Sequence, residues 1–408
     1  MGARISRHFL LLLSQIRHLL PPLPMAPPSP RSGASVRPLP LDALYEVLLR
    51  VSARDLCRLR AVCRPWRALL SDPHFIAAHA ACHPEPLIVA THHTDGLAAG
   101  HILDIMDLSG RVIKRVVKPE SLWAGRKGWA ITAHVNVVCV LMTNDMSYLL
   151  LNPATGAVSA LPQGLAEEHS RREQDISDCR HLVAVGKVAS TGEYKVLRVL
   201  DVYPESEWEQ LCEVFTLDGS SHARWRGKKA SPDSVDPFPS HRVTINGIVY
   251  FVLREIVMDQ GVVPLRIASF DLETEEWRAI LRAPLDLLSI LHFSLASLNG
   301  CLVVIHYIQQ SSSMDLWFLM DFDKGLWAKK HSIPLKSGFF YDDFPVRTLL
   351  VLNGGRILYY DEMKLLRIYD PKTCTSANVA EIGPYCEIGV YTGNLLSLPD
   401  GAGAQLMR

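Results

Sequence analysis

The chain has 408 residues, which exceeds one ordinary domain and predicts a small module joined to a large one. An apolar fraction of 48% and a charged fraction of 21% are typical of a globular protein rather than a disordered one. Basic and acidic residues both number 42, so the formal net charge is zero. A general nucleic-acid binder carries excess cations, and a membrane span needs about 18 apolar residues in a row. We therefore expect neither a nucleic-acid nor a membrane partner.

The nine cysteines are scattered and form no Cys-x-x-Cys pair. This pattern predicts small apolar side chains in a reducing compartment rather than a disulfide framework or a zinc site. Residues 1–38 contain five arginines and no acidic residue, and we interpret them as a disordered, basic and proline-rich leader. Met1 and Met25 both remain possible natural starts. Import into mitochondria or plastids is the alternative for such an acid-free segment.

A first helix is predicted near residue 44. Asp42 lies where a first-turn carboxylate opposes the helix dipole. Spacing of i, i+3, i+4 and i+7 places apolar side chains on one face of a helix. The residues with this spacing are Leu44, Val47, Leu48 and Val51.

Two further helices are predicted up to residue 80. Asp55 can cap the second helix, and Pro65 suits the first turn of a third, which Asp72 and Pro73 close. Their apolar residues are Leu56, Leu59, Val62, Cys63, Trp66, Leu69 and Leu70. Three short helices cannot bury so many large apolar side chains alone, so we predict that residues 39–80 form a three-helix module that docks onto a partner.

This module resembles the F-box. Ser52 departs from the pattern, because the family usually carries proline there. The matching positions are Leu39, Pro40, Leu44, Val47, Leu48, Arg50, Val51, Leu56, Arg58, Leu59, Arg60, Val62, Cys63, Trp66, Arg67, Leu70, Ser71, Asp72, Pro73, Phe75 and His79. In the family, the motif binds a Skp-type adaptor and, through it, a cullin ubiquitin-ligase scaffold.

The resemblance implies a set of adaptor-binding residues. They are Leu39, Pro40, Leu44, Val47, Leu48, Val51, Leu56, Leu59, Val62, Cys63, Trp66 and Leu70. The alternative is a small helical subdomain whose apolar face packs against the rest of this same chain.

Beyond residue 86, short β-branched and aromatic runs are broken by turn residues. Asn-Gly pairs begin at Asn246, Asn299 and Asn353, which are 53 and 54 residues apart, and each precedes an apolar run. Asn-Gly supplies the positive φ angles that tight hairpins require. The sequence therefore predicts hairpins that recur about every fifty residues.

Three tryptophans recur with a similar period. Trp225, Trp277 and Trp327 are separated by 52 and 50 residues. We interpret them as packing anchors between neighbouring units, with a stacking platform for a ligand as the alternative. A period near fifty with four short strands per unit is typical of a propeller blade. We predict an all-β, propeller-like domain over residues 85–400, with about six kelch-like blades.

We expect strands from the two ends of this domain to close the ring. Glu387–Tyr391 and Leu395–Leu398 are short apolar segments near the C-terminus, and Leu87–Ala90 is the candidate at the other end. Propellers hide their last sheet edge by such pairing.

Several strand and turn segments resemble the F-box-associated domains of plants, and the run Ala53–Ala90 is especially similar to the large set of such proteins in grasses. These segments are Leu149–Gly156, Gly192–Val199, Asn246–Tyr250 and Ile267–Trp277. The two resemblances together cover about residues 39–395. In that family, the propeller-like domain recruits the protein that is to be ubiquitinated.

Motifs that carry catalytic or cofactor chemistry are missing from the sequence, including Gly-x-Ser-x-Gly and His-Glu-x-x-His. We therefore expect no enzyme, no cofactor and no metal site. A metal cluster of His92, His93, Asp95 and His101 is an alternative, but a solvated loop fits their spacing better.

A partner surface should lie on loops that rigid strands carry. The longest polar candidates are residues 164–180, 227–240 and 309–315, and the charged run Glu167–Glu173 is interpreted as a solvated loop.

Together, these features predict a substrate-recognition subunit of an SCF-type ubiquitin ligase. Its partners are a Skp-type adaptor, a cullin bound through that adaptor, and an unidentified target protein. We expect it in the cytoplasm or nucleus. The alternatives are an F-box scaffold that acts outside any ligase and an enzyme built on a propeller, which the missing catalytic motifs disfavour.

Overall fold

The structure is a computed structural model. It describes residues 41–83, 85–94, 100–119, 131–134, 137–141, 148–151, 158–175, 181–202, 209–217, 223–254, 264–286, 293–308, 310–335, 347–361, 364–382 and 387–391. These form a helical unit that ends at Glu85 and a strand unit that begins at Pro86. The predicted leader 1–38, Leu39, Pro40 and Leu395–Leu398 lie outside the described residues.

The helical unit has four helices in its described part, whereas the sequence analysis predicts three. They are α1 (Leu41–Arg50), α2 (Ala53–Leu59), α3 (Arg64–Leu70) and α4 (Pro73–Cys82). The Asp72 carboxylate accepts hydrogen bonds from the backbone N–H groups of His74 and Phe75, at 2.8 and 3.2 Å. Asp72 and Pro73 therefore do more than close α3, because a proline in the first turn and an aspartate cap also start α4.

The cap of α2 also differs from the prediction, which assigns it to Asp55. Ser52 is the N-cap, and its Oγ accepts from the Asp55 N–H at 3.3 Å. The same hydroxyl donates to the Asp55 carboxylate at 2.7 Å. Ser52, the position where the family usually carries proline, thus starts a helix because serine is a strong N-cap residue.

The strand unit contains 25 described strands, all paired antiparallel. Sheet 1 contains β1 (Leu87–Thr94), β2 (Gly100–Met106) and β3 (Val112–Pro119), together with the last strand, β25 (Glu387–Tyr391). Sheet 2 contains β4 (Ile131–His134), β5 (Val137–Leu141), β6 (Tyr148–Leu151) and β7 (Val158–Ala160). Sheet 3 contains β8 (His181–Lys187), β9 (Tyr194–Val202), β10 (Glu209–Thr216) and β11 (Arg226–Lys228).

The remaining described strands form three more sheets. Sheet 4 contains β12 (Arg242–Ile245), β13 (Ile248–Val252), β14 (Pro264–Asp271), β15 (Glu276–Trp277) and β16 (Leu281–Asp286). Sheet 5 contains β17 (Phe293–Leu298), β18 (Cys301–Ile308), β19 (Ser313–Asp321) and β20 (Leu326–Pro334). Sheet 6 contains β21 (Arg347–Val351), β22 (Ile357–Tyr360), β23 (Leu365–Asp370) and β24 (Thr375–Glu381).

These sheets form a closed ring. One edge strand of each sheet contacts the corresponding edge strand of the next sheet, in the order β25, β4, β8, β12, β17, β21 and then β25 again. Apolar cores lie between neighbouring sheets, as where Val199 of sheet 3 and Phe270 of sheet 4 share one buried cluster. A ring of antiparallel sheets packed face to face is a β-propeller, so the predicted succession of a helical module and a propeller is confirmed.

The ring is closed by strands from its two ends. Leu87 of β1 pairs with Tyr391 of β25, and Thr91 pairs with Glu387. The predicted pairing of Glu387–Tyr391 with Leu87–Ala90 is confirmed, and it covers the edge of β1 that would otherwise lack a partner strand.

The Asn-Gly pairs occupy equivalent places in successive sheets. Asn246 and Gly247 join β12 to β13 with φ angles of 50° and 79°, and Asn299 and Gly300 join β17 to β18 with 53° and 71°. Asn353 begins the turn between β21 and β22. The predicted hairpin at the start of each unit is confirmed for the first two pairs, because positive φ at both residues is the geometry that Asn-Gly supplies.

The recurring tryptophans anchor sheets 3, 4 and 5, each to the sheet before it, as predicted. Each lies at or just before the fourth strand, and its indole Nε1–H donates to a backbone carbonyl beside or within the outer strand of the preceding sheet. The bonds join Trp225 to Pro162, Trp277 to Lys229 and Trp327 to Arg282, at 2.8, 2.8 and 2.9 Å.

Candidate functional site

The predicted adaptor-binding residues separate into three groups by exposure. Leu48, Leu56 and Leu70 are buried inside the helical unit, in a cluster with Leu49, Leu69 and Phe75. Leu44, Val51, Leu59 and Trp66 are half-buried and pack against that cluster. Val47, Val62 and Cys63 are exposed. The set therefore combines the core of the unit with a surface, because a small four-helix unit must use part of its apolar residues to hold itself together.

The exposed apolar side chains are the part of this set that a partner can cover. Val47 on α1 is 49% exposed, and Val62, between α2 and α3, is 66% exposed. Exposed arginines accompany them, including Arg50 and Arg58, whose side chains are 75% and 66% exposed. Both arginines pair with acids, Arg50 with Glu46 and Arg58 with Asp55, and exposed apolar side chains among charged residues are typical of a protein-binding site.

Two histidines at the end of α4 hold the helical unit together. The Nε2–H groups of His79 and His83 donate to the carbonyls of Val51 and Leu49, both at 2.9 Å. The two rings lie 4.2 Å apart. Burial lowers the pKa of His79, and the neighbouring His83 lowers it further. These bonds satisfy carbonyls at the C-terminal end of α1, which would otherwise lack partners.

In the propeller, the charged run predicted to be a solvated loop is a 3-10 helix, Glu167–Asp175, which we call helix 167–175. The His169 ring is only 17% exposed, and its Nδ1–H donates to the Glu213 carboxylate on β10 at 2.8 Å. Glu168 accepts the N–H of Gly227 at 3.1 Å. The run is ordered because its histidine and one of its glutamates find partners on the sheet, a pairing that local sequence does not reveal.

The Glu213 carboxylate is the group on the sheet to which helix 167–175 is bonded through His169. It also accepts from the N–H of Ala166 at 2.9 Å and from the Arg198 Nε–H at 2.7 Å. Burial alone would raise the pKa of Glu213, but the bond from His169 and the charge of Arg198 outweigh it and lower the pKa. The Arg198 guanidinium lies over the Trp225 ring, with Cζ 3.8 Å from the ring centre.

A second segment is held on the other side of β10. The Gln210 side-chain amide bonds to Val235 twice, accepting from its N–H at 2.7 Å and donating to its carbonyl at 2.9 Å. Gln210 also donates to Asp201 at 2.7 Å. Val235, at the end of the segment that follows β11, is therefore fixed to the sheet by a buried amide.

Helix 167–175 and the end of β11 enclose a cleft of about 250 Å³, which we call the β10–β11 cleft. Its lining residues are Glu168, His169, Arg171, Arg172, Glu209, Gln210, Leu211, Lys228 and Ala230. Two of the three predicted partner-binding segments, 164–180 and 227–240, thus meet at one place. The third, 309–315, contributes no residue to this cleft.

Next to the cleft, Glu275 forms ion pairs with three cations. Its carboxylate accepts from Lys195 at 2.9 Å, Arg226 at 2.5 Å and Lys228 at 2.6 Å. Burial alone would raise the pKa of Glu275, but these three partners lower it to about 2. The carboxylate is therefore charged at neutral pH and leaves two of the three positive charges uncompensated.

The described residues contain no group of three histidine, cysteine, aspartate or glutamate side chains that could hold a metal ion. Asp95 and the side chains of His92, His93 and His101 lie outside the described part. Within the described part, no helix is long and apolar enough to cross a membrane.

Comparison with known proteins gives two family matches. The family described as F-box associated beta propeller domain matches residues 122–381, which are 260 of the 408 residues. The family described as F-box domain matches residues 38–77.

The curated relatives match over most of their length. F-box protein At3g07870 of Arabidopsis thaliana is 24% identical, with 83% of this chain and 87% of the relative covered. F-box/LRR-repeat protein At2g43260 is 25% identical, with 88% and 82% covered. F-box/kelch-repeat protein At3g23880 is 24% identical, with 78% and 84% covered. Both of the latter are also from Arabidopsis thaliana.

Proposed function

Because this chain belongs to the family of F-box proteins with an F-box associated beta propeller domain, we propose that it is the substrate-recognition subunit of an SCF-type ubiquitin ligase. The helical unit binds a Skp-type adaptor, and the adaptor links the chain to a cullin. The propeller holds the target protein. The subunit is not itself an enzyme and forms no covalent bond with the target.

One observation carries this proposal. The F-box match at residues 38–77 falls on a self-contained helical unit that keeps Val47 and Val62 exposed. Residues 41–83 also contain six arginines against four acidic residues, so the exposed apolar side chains lie on a cationic unit. A partner with an apolar groove and an acidic rim is complementary to such a surface.

The mechanism of the proposed complex is proximity. Holding a target on the same assembly as a charged ubiquitin-conjugating enzyme makes attack by the target's lysines effectively intramolecular. Effective concentrations in the millimolar range are reached by such tethering, without any new contact between enzyme and target. The propeller suits this role because its rigid strands support long loops.

The adaptor contact can be tested with the double variant Val47→Asp/Val62→Asp. Both side chains are exposed, so the variant should fold, and charge placed in an apolar contact should weaken adaptor capture about thirtyfold or more. The measurement is equilibrium binding of the purified full chain to a Skp-type adaptor. The matched control is Met320→Asp/Leu326→Asp, which changes two equally exposed apolar residues of the propeller.

The outcomes of this test separate the candidates. Capture of adaptor together with cullin by the wild-type chain, lost in the Val47/Val62 variant and kept in the control, supports the ligase subunit. Capture of adaptor without cullin favours a scaffold role instead. No adaptor binding by the wild-type chain would overturn both. We propose that the complex acts in the cytoplasm or nucleus, which imaging of a fluorescent fusion to the full chain would check.

A further inference from the structure

We propose that the β10–β11 cleft binds an acidic segment of a partner polypeptide, with one carboxylate or phosphate group entering between Arg171, Arg172 and Lys228. This inference rests on the proposed function, because the partner would be the protein that the propeller recruits. It goes further in naming the place of contact and the chemistry of the bound segment.

The charges of the cleft favour an anion. Its lining contains three cations, Arg171, Arg172 and Lys228, against the two acids Glu168 and Glu209. Glu209 pairs with Arg172 at 2.9 Å, which cancels one charge of each sign, and Glu168 accepts the Gly227 N–H. Arg171 and Lys228 remain against the single charge of Glu168, so the lining has a net positive charge.

The Glu275 cluster beside the cleft increases this imbalance. Lys228 belongs to both groups, and Glu275 compensates only one of the three cations that surround it. Taken together, the lining and the cluster contain five cations and three acids. An excess of two positive charges in one place contrasts with the zero formal net charge of the whole chain.

Hydrogen-bond donors remain for a ligand. The Arg171 side chain is exposed and makes no ion pair or hydrogen bond among the described residues. Lys228 is 26% exposed, and one of its three ammonium donors is directed to Glu275 at 2.6 Å. A guanidinium offers five donors in a fork that matches the geometry of carboxylate and phosphate groups.

The cleft is pre-organised by buried contacts on both sides. The His169–Glu213 pair fixes helix 167–175, and the Gln210–Val235 bonds fix the segment after β11. Walls that are held before binding reduce the conformational entropy lost on association. The charged residues of the cleft are therefore carried by segments that are bonded to a rigid sheet.

The size of the cleft selects the kind of ligand. Its volume of about 250 Å³ lies below the roughly 300–1,000 Å³ of typical small-molecule pockets. It can admit one acidic side chain of an extended segment. Nucleic-acid binding draws much of its affinity from many phosphate contacts, and the three cations of the cleft can make only a few.

The test uses the full chain and three fluorescein-labelled peptides of equal length, one rich in glutamate, one with phosphoserine, and one with glutamine in place of each acid. Fluorescence anisotropy should show that at least one acidic peptide binds and that the glutamine peptide does not. Affinity should fall as salt is raised, because exposed charges are screened over about 10 Å at 0.1 M. The two acidic peptides distinguish carboxylate from phosphate as the bound group.

Substitution at Arg171 locates the contact. Arg171→Glu should weaken binding of the acidic peptide about tenfold, while Arg171→Lys, which keeps the charge but loses the fork of donors, should weaken it less than Arg171→Glu does. The matched control is Arg356→Glu, at an exposed arginine in the turn before β22, which should leave binding unchanged. Circular dichroism should be the same for all variants, because both positions are on the surface.

Three results would overturn the inference. One is that neither acidic peptide binds the wild-type chain, and another is that Arg171→Glu binds as well as the wild type. The third is that a single-stranded oligonucleotide or an anionic lipid vesicle binds more tightly than both peptides. Adaptor capture should be unchanged in Arg171→Glu. If the wild-type chain captures the adaptor but binds neither acidic peptide, only the inference about the cleft is refuted. If the wild-type chain binds an acidic peptide but does not capture the adaptor, only the proposed ligase role is refuted.

Discussion

Arg198 and Glu213 lie directly opposite each other on β9 and β10, and neither side chain is exposed to solvent. The pair connects elements that are distant in the sequence. Glu213 holds helix 167–175 through His169, and the Arg198 guanidinium donates to the carbonyl of Gly164 at 2.5 Å. The wall of the proposed binding cleft thus depends on an ion pair inside sheet 3.

Breaking this pair should be costly. Glu213→Gln keeps the shape of the side chain but leaves the Arg198 charge buried without its partner, which typically lowers the free energy of unfolding by about 3–5 kcal/mol. Urea unfolding at pH 7, followed by tryptophan fluorescence, measures the change. The matched control is Glu46→Gln, because the exposed Glu46–Arg50 pair should be worth less than about 0.5 kcal/mol. Equal losses in the two variants would contradict the role given to Glu213.

The hydrogen bonds of the recurring tryptophans lead to a second prediction. Trp277→Phe and Trp327→Phe each remove an indole N–H that donates to the preceding sheet, and each should lower the free energy of unfolding by about 1 kcal/mol. Trp317→Phe is the internal control, because the buried Trp317 Nε1 has no hydrogen-bond partner among the described residues. Replacing it should be neutral or slightly stabilising, as measured by urea unfolding. A loss at Trp317 as large as at Trp277 would show that ring volume, not the bond, matters.

The repeating features of the propeller could be predicted because they are local. Asn246 and Gly247 adopt the positive φ angles that an Asn-Gly pair favours by itself, and the spacing of Trp277 and Trp327 follows from one unit after another. The surface of the helical unit was harder to predict. The spacing of Leu44, Val47 and Leu48 indicates an apolar face, but it cannot distinguish a side chain that contacts a partner from one that the four helices bury among themselves.

The β10–β11 cleft could not be predicted as a site for a related reason. The sequence marks residues 164–180 and 227–240 only as polar. Their meeting depends on His169 reaching Glu213, 44 residues away, and on Gln210 reaching Val235, 25 residues away. A charge run that finds such partners becomes an ordered wall, while the same composition without them stays a solvated loop.

Acid should weaken the Glu275 cluster in a defined pH range. The three cations hold the folded-state pKa of Glu275 at about 2, below the ordinary glutamate value of 4.5. A depressed pKa contributes stability that is fully present above pH 4.5 and is lost as the pH falls towards 2. Urea unfolding should therefore show that Glu275→Gln is less stable than the wild type at pH 7. The difference should shrink between pH 4.5 and pH 2, and a difference independent of pH would refute this assignment.

Ring closure gives the last prediction. Removing residues 387–408 deletes β25 and with it Tyr391, which is fully buried, and Ile388, which is 9% exposed. The deletion also leaves one edge of β1 unpaired, from Leu87 to Thr91. Loss of two large buried side chains typically costs several kcal/mol, so the melting temperature should fall by at least about 5 °C. Thermal unfolding followed by circular dichroism measures this, with a chain lacking only residues 399–408 as the control. If the longer deletion melts within about 2 °C of the control, β25 does not hold the ring closed, because a strand that closes a propeller cannot be removed without exposing the edge it covered.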